Sequence, residues 1–323
     1  MRIFVPFRIV PTIVSSNVIK PTSNIDAIQR ITDFFKANNG KLLILTGAGV
    51  STDSGIPDYR GPQGTYVINK NYKPIFYHEF AGQHRFRQRY WARSFLGWPL
   101  VQKTKPNSSH IAFAKLQSLG YIQNIITQNV DGLHQMAGTK NILELHGTLH
   151  EVHCMQCGYI QKRSKYQDIL NELNPKWEEF LNKIESFKIK PKVRPDGDVD
   201  LPSNNTYETF RYPSCEQCKK GIYKPSVIFF GENINSSVKL IASDMVKDCS
   251  AMMVVGSSLA TYSAFRLVKS AYDSGKNIVI INFGDTRGDN LAWLKFDQFC
   301  GDILPLISQQ MTNFIPNNKT YKN

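Results

Sequence analysis

Apolar residues along this chain fall into short unbroken runs, separated by stretches where they recur every three or four positions. The runs predict buried parallel strands over Lys41–Thr46, Ile122–Thr127, Ser250–Val255 and Lys276–Ile281. Lys224–Glu232 is a further extended run with which the sheet is expected to resume after the cysteine pairs, and Phe299-Cys300-Gly301-Asp302 is expected to close it. The helical period predicts a helix over Ile25–Asn38, with Ile28, Ile31, Phe34 and Phe35 on one face and Asn39-Gly40 at its end. Pro106-Asn107-Ser108-Ser109-His110 has the composition of a capped helix start leading into Ala112–Leu119. Lys165–Phe187 predicts helix interrupted at Pro175, and Leu304–Phe314 predicts a last helix. Strands alternating with helices give the α/β class: a doubly wound, Rossmann-like parallel sheet.

Two stretches do not fit the alternation. Residues 62–105 are aromatic and basic, with Gln88-Arg89-Tyr90-Trp91-Ala92-Arg93 at their centre. Such interleaving can stack nucleic-acid bases; it equally suits a helical insertion packing its aromatics against the main sheet, which is the expectation adopted. The second stretch, 150–221, lies between Cys154-Met155-Gln156-Cys157 and Cys215-Glu216-Gln217-Cys218. Two C-x2-C pairs predict a zinc-ribbon module in which Cys154, Cys157, Cys215 and Cys218 hold structural Zn2+, four thiolates leaving no position for water. His150 and His153 are spare ligands.

Composition narrows the field. The chain has 323 residues, 41% hydrophobic and 20% charged, enough for one large domain with a smaller module. Six cysteines at this length argue for metal in a reducing compartment rather than a disulfide scaffold. The net charge of +13 is spread along the chain without a dense basic block, and no apolar run approaches the roughly 20 residues of a membrane span. Residues 1–24 are cationic and acid-poor, as in a mitochondrial targeting peptide. An ordinary N-terminal arm is the competing reading, because Pro6 and Pro11 interrupt any early helix.

Candidate chemistry gathers at strand ends. After the first strand comes Gly47-Ala48-Gly49-Val50-Ser51, where glycines bring backbone N–H groups near the strand end and Val50–Asp53 can open a helix. That suits a phosphate, although Thr52 occupies the place of the third glycine in the usual dinucleotide fingerprint. The same residues also fit a plain tight turn. The second strand delivers Thr127-Gln128-Asn129-Val130-Asp131, and His146 follows in Leu145-His146-Gly147. Taken alone, His146 fits a satisfied core or turn histidine better than a base.

Gly47-Ala48-Gly49-x-Ser51 with Gly55-Ile56-Pro57-Asp58-x-Arg60 resembles the cofactor loop of the sirtuins, NAD-dependent protein deacylases. The other blocks match in the same order: Thr127-Gln128-Asn129-x-Asp131, Leu145-His146-Gly147, both cysteine pairs, Pro225-x-Val227-x-Phe229-Phe230-Gly231-Glu232, Gly256-Ser257-Ser258-Leu259 and the strand end at Asn282. Together they span about 25–306. Spellings such as Asp58-Tyr59-Arg60 and Gly97-Trp98-Pro99 resemble the class II, mitochondrial sirtuin 4 type branch.

The resemblance implies a set of roles. Gly47, Ala48, Gly49, Ser51, Asp58, Tyr59 and Arg60 hold the pyrophosphate of NAD and close over it. Gln128, Asn129 and Asp131 take the nicotinamide ribose and carboxamide. Gly256, Ser257, Ser258, Asn282, Gly284 and Cys300 line the adenosine half. His146 is the general base, with Asn129 and Asp131 beside it in catalysis. Phe230, Gly231, Glu232, Leu259, Ala260 and Thr261 sandwich a substrate peptide.

The implied organisation is a targeting peptide at 1–24, an NAD-binding domain from 25–149 and 222–315, a zinc module at 150–221 and a frayed tail at 316–323. The implied activity is lysine deacylation, lipoamidase type included, on acyl-lysine-bearing metabolic enzymes by a mitochondrial-matrix monomer, without nucleic acid or membrane. Protein mono-ADP-ribosyl transfer from the same cofactor is the alternative, and a non-catalytic zinc-ribbon nucleic-acid binder a remote one.

Overall fold

The apolar run after Lys41 folds as a strand in which every residue is buried. The structure, a computed structural model, describes residues 18–19, 23–38, 40–70, 72–186, 194–196, 199 and 207–313. Helix α1 (Asn24–Ala37) leads into β1 (Leu42–Thr46). Short helices α2 (Thr65–Ile68) and α3 (Tyr77–Gly82) precede the long α4 (His84–Lys103); α5 (Ser108–Ser118) then returns the chain to β2 (Ile122–Thr127). After α6 (Leu133–Met136) come β3 (Ile142–Glu144), β4 (Gly147–Cys154), β5 (Ile160–Lys162), α7 (Arg163–Leu173) and α8 (Pro175–Ser186). The rest runs β6 (Tyr223–Val227), α9 (Ser236–Asp248), β7 (Ala251–Val255), α10 (Tyr262–Asp273), β8 (Asn277–Ile281), β9 (Leu294–Phe296) and α11 (Cys300–Asn313).

Six strands form the larger sheet in the order β3-β2-β1-β7-β8-β9, and every pairing is parallel. Successive side chains of a strand point to opposite faces, and the core divides accordingly. Leu42 and Ile44 pack with Phe35, Phe113 and Ile307 from α1, α5 and α11. Leu43 and Leu45 pack with Ala242, Val246, Leu267 and Val268 from α9 and α10. Strand order runs outward from β1 in one direction and from β7 in the other. A topological switch point therefore lies between β1 and β7, where the crevice at the carboxyl ends of open α/β sheets receives ligands.

Several expectations are corrected. The residues after Gly47 form two 3-10 turns, Ala48–Val50 and Thr52–Ser54, rather than the start of an α-helix; Gly55, left-handed at φ 86°, ends the second. The run from Lys224 does not rejoin the larger sheet. β6 pairs antiparallel with β4 in a separate sheet of order β5-β4-β6, and the larger sheet resumes only at β7. Phe299–Asp302 is not its closing strand: that is β9, and α11 begins at Cys300.

The basic-aromatic insertion does not pack on the larger sheet, whose faces are already covered. Its aromatics join the module instead: Trp91 against Tyr166 at 4.6 Å between ring centroids, Phe95 against Phe210 at 5.5 Å and Phe80 against Phe229 at 5.2 Å. Tyr90, Trp91 and Phe95 are buried there and offer no face to a base.

Most of the targeting-like segment lies outside the described residues, as does the tail at 316–323. Its end is docked: Ile19 bridges Leu294 in parallel, and Lys295 N–H donates to the Ile19 carbonyl at 3.1 Å. Among the described residues no helix is long and apolar enough to cross a membrane.

Candidate active site

The carboxyl ends of β1, β2 and β7 bring three loops into direct contact. Gly47 N–H donates to Val255 O and Gly49 N–H to Gly256 O. A Cβ on Gly47 would stand 2.8 Å from Gly256 O, and one on Gly49 would stand 2.9 Å from Gly256 Cα. The first duty of these glycines is thus the close approach of two backbones, and both amides are already engaged, contrary to the expectation that they face a ligand.

A polar network fills the space beside them. Ser51 Oγ donates to Asp131 Oδ2 at 2.7 Å, and Asn129 Nδ2 donates to Gly47 O and Ser51 Oγ, both at 3.1 Å. Leu133 N–H caps Asp131 Oδ1 at 3.0 Å. Gln128 Nε2 donates to Ser257 Oγ at 2.7 Å and to Thr46 O, while its Oε1 accepts from Thr261 Oγ1 at 3.1 Å. Thr46 Oγ1 donates to Thr127 Oγ1, which accepts Asn129 N–H. The 127–131 turn is therefore fixed by side chains from three strand ends, as a preorganised site requires.

His146 lies on the link from β3 to β4, where the two sheets meet. Its Nδ1 is 3.1 Å from Gln128 O and its Nε2 is 2.8 Å from Ser263 Oγ. A carbonyl only accepts, so Nδ1 carries the proton and Nε2 is the basic nitrogen. Burial lowers the His146 pKa; the hydrogen bond to the Gln128 carbonyl partly opposes this. The imidazole is therefore a neutral base at physiological pH.

Two histidines lie deeper. His134 Nε2 is 3.0 Å from Thr46 Oγ1, and His110 meets its ring edge-on at 4.8 Å. Burial depresses His134 to about 3 and His110 to about 4. Among the described residues, His134 Nδ1 and His110 Nε2 have no hydrogen-bond partner.

The four sulfurs of Cys154, Cys157, Cys215 and Cys218 lie within 4.8 Å of one another. Gln156 and Cys157 N–H donate to Cys154 Sγ, and Gly221 N–H to Cys218 Sγ. A Cβ on Gly221 would sit 2.1 Å from Cys154 Sγ. Amide donors aimed at a tight set of soft thiolates fit tetrahedral Zn2+. His150 and His153 point elsewhere, to Asp131 O and Ser226 Oγ.

Residues 47–263 match the Sir2 family model. The chain belongs to the Sir2 family. It is 50% identical over 278 residues to the NAD-dependent protein deacylase SIR4 of Batrachochytrium dendrobatidis, covering 84% of this chain and 90% of that protein. The NAD-dependent protein lipoamidase sirtuin-4, mitochondrial, of Bos taurus is 40% identical, with 83% of this chain and 81% of that one covered. A solved Sir2 structure with a p53 peptide and NAD+ superimposes with a TM-score of 0.62 at 29% identity, covering 88% of this chain and 99% of the other.

In this Sir2-family chain, Gly47, Gly49, Ser51, Gln128, Asn129, Asp131, Gly256, Ser257 and His146 converge on one edge. The Asn282 amide is tied to the carbonyls of Phe283 and Gly284, and Gly284 N–H donates to Asp297. Cys300 is buried; its thiol donates to Gly49 O at 3.4 Å, and burial raises its pKa to about 11. Leu259 has a left-handed φ of 54°, and Ser258 O accepts from Arg287 N–H. Arg60 lies 5.0 Å over the Tyr66 ring, and the Asp58 carboxylate accepts Gly61 N–H.

The peptide-binding expectation for Phe230-Gly231-Glu232 is only partly available. Phe230 O accepts Tyr77 N–H at 2.9 Å, and the Glu232 carboxylate binds Lys224 Nζ at 3.0 Å and Phe229 N–H at 2.8 Å. Beside this segment opens a cleft of about 560 Å³, its mouth included, lined by Tyr72, Tyr90, Arg93, Arg194, Asp196 and Phe229 among others. Arg194 stacks on Tyr72 at 4.1 Å, and Tyr72 OH donates to Asp196. Motif reading gave Thr46 and His134 no role and did not single out Ser263. Thr46 was detectable as the polar end of an apolar strand; Ser263 reaches His146 across 117 positions with no local signal.

Proposed function

We propose that the chain is an NAD-dependent protein lysine deacylase of the sirtuin 4 type, acting on bulky acyl groups, lipoyl included. The observation that carries the reading is His146: Gln128 O in the 127–131 turn fixes its tautomer through Nδ1, which leaves Nε2, 2.8 Å from Ser263 Oγ, as the free-base nitrogen. NAD, when bound, supplies an electrophilic sugar carbon and nicotinamide as leaving group. Residues 47–60 and Gly256-Ser257-Ser258 hold its phosphates and adenosine half, with Asn282, Gly284 and Cys300 at the outer end. Asn129 and Asp131 orient the nicotinamide end, and His146 takes up a hydroxyl proton. Leu259-Ala260-Thr261 and residues 230–232 receive the substrate peptide. The cleft with Arg194 and Asp196 receives the acyl chain, which would be shielded there from water. Zn2+ on the four cysteines is a staple and takes no part in the chemistry.

The domain division proposed with it is a nucleotide domain within 25–149 and 222–315 and a zinc module around 150–221, the module's sheet taking in all of β4 and β6 and its core the aromatics of α4. The acid-poor N-terminus and the mitochondrial relative support a mitochondrial location, in the matrix. The test is a panel of acyl-lysine peptides incubated with NAD, following nicotinamide release. Wild type should release nicotinamide and deacylate, while His146→Ala should lose about 10²–10⁴-fold in deacylation with an unchanged melting temperature. Label from isotopic NAD arriving on protein without acyl loss would replace this reading by mono-ADP-ribosyl transfer.

A further inference from the structure

Three hydrogen bonds close a ring around the His146 imidazole. Gln128 O holds Nδ1, Ser263 Oγ sits 2.8 Å from Nε2, and Thr261 Oγ1 donates back to Gln128 Oε1. Thr261 is the N-cap of α10 and Ser263 lies in its first turn, so one helix end supplies both hydroxyls. With the proton fixed on Nδ1, Nε2 has a lone pair, and the Ser263 O–H must donate to it. Any proton that His146 takes up must enter at Nε2, and the nearest polar side-chain atom recorded there is Ser263 Oγ. Ser263 is half-buried next to the exposed Tyr262.

Building on the deacylase reading, we propose that Ser263 is a positioning residue that holds the His146 lone pair at rest and passes its proton to water in turnover. The step balances. The Nε2–H bond breaks as its proton bonds to Ser263 Oγ, the Ser263 O–H bond breaks as that proton goes to water, and imidazole and hydroxyl are both restored without oxidation or reduction. No charged side chain contributes to the His146 pKa: burial lowers it and the Gln128 carbonyl raises it. The Ser263 hydroxyl donates to the neutral Nε2 and, rotated, accepts from the imidazolium Nε2–H; the second, charge-assisted bond is the stronger, so its loss disfavours the imidazolium.

The test combines histidine NMR with kinetics on the full, zinc-loaded chain. Without NAD, wild-type His146 should show the Nδ1–H tautomer and titrate below a free imidazole. Ser263→Ala should move that titration downward, and Ser263→Thr should restore it. In turnover, Ser263→Ala should lower kcat about tenfold, shift the acid limb to lower pH and leave KM for NAD unchanged. An unmoved His146 titration in Ser263→Ala overturns the proposal, even if the melting temperature falls. If Ser263→Ala does not fold, Ser263→Cys is the second variant: its weak donor should give an intermediate shift, and an unshifted titration overturns the proposal. A wild type without NAD-dependent turnover would sink the deacylase reading, while the NAD-free titration would still decide the link between Ser263 and His146.

Discussion

Around β1 the core is aliphatic, divided cleanly between two sheet faces, and held by parallel pairing on both sides. Around β4 the core is aromatic, shared between two distant chain segments, and pinned by cysteines. A six-stranded sheet covered on both faces buries enough apolar surface to hold itself. A three-stranded sheet does not, and recruits a helical insertion on one side and a metal on the other.

Metal removal is the sharpest way to break that contrast, since structural zinc contributes roughly 10–16 kcal/mol of folding free energy in small domains. Chelation, or Cys154→Ser, should abolish hydrogen-exchange protection in β4 and β6 while β1 and β7 stay protected. Uniform loss across both sheets would show that the two cores are one cooperative unit. Acid attacks the larger domain instead. His134 and His110 titrate near 3 and 4 in the fold but near 6.5 when unfolded. The unfolded chain therefore binds more protons in this window, and stability falls as pH drops from about 6.5 towards 3. Each histidine should cost on the order of 3 kcal/mol at pH 4. Denaturant titrations should show a flatter pH dependence in His134→Leu; an unchanged slope would refute the assignment. Smaller again is the difference between single core truncations. Trp91→Ala should cost about 3–5 kcal/mol and Val254→Ala about 2 kcal/mol, with the first loosening the cysteine module and the second the larger sheet.

Sequence reasoning worked where the physics is local. Buried strands announced themselves as unbroken apolar runs, and the two cysteine pairs closed into one cluster. Asn107 caps α5 as its composition predicts, accepting from Ser109 and His110 N–H. It failed where a partner lies far along the chain. Nothing near Trp91 indicates that Tyr166 covers it, and nothing near Lys224 shows that its strand pairs with β4. Motif residues at strand ends meet at one edge because the parallel sheet aligns those ends. Ser263 gives no such signal, because it reaches His146 across 117 positions.

The contact of Gly47 and Gly49 with Gly256 leaves no slack beneath the crevice. Its floor is peptide backbone, too tight for any added methyl, so side-chain variation cannot deepen or narrow it. Room to vary what the crevice accepts lies with the side chains around that floor, not with the floor itself.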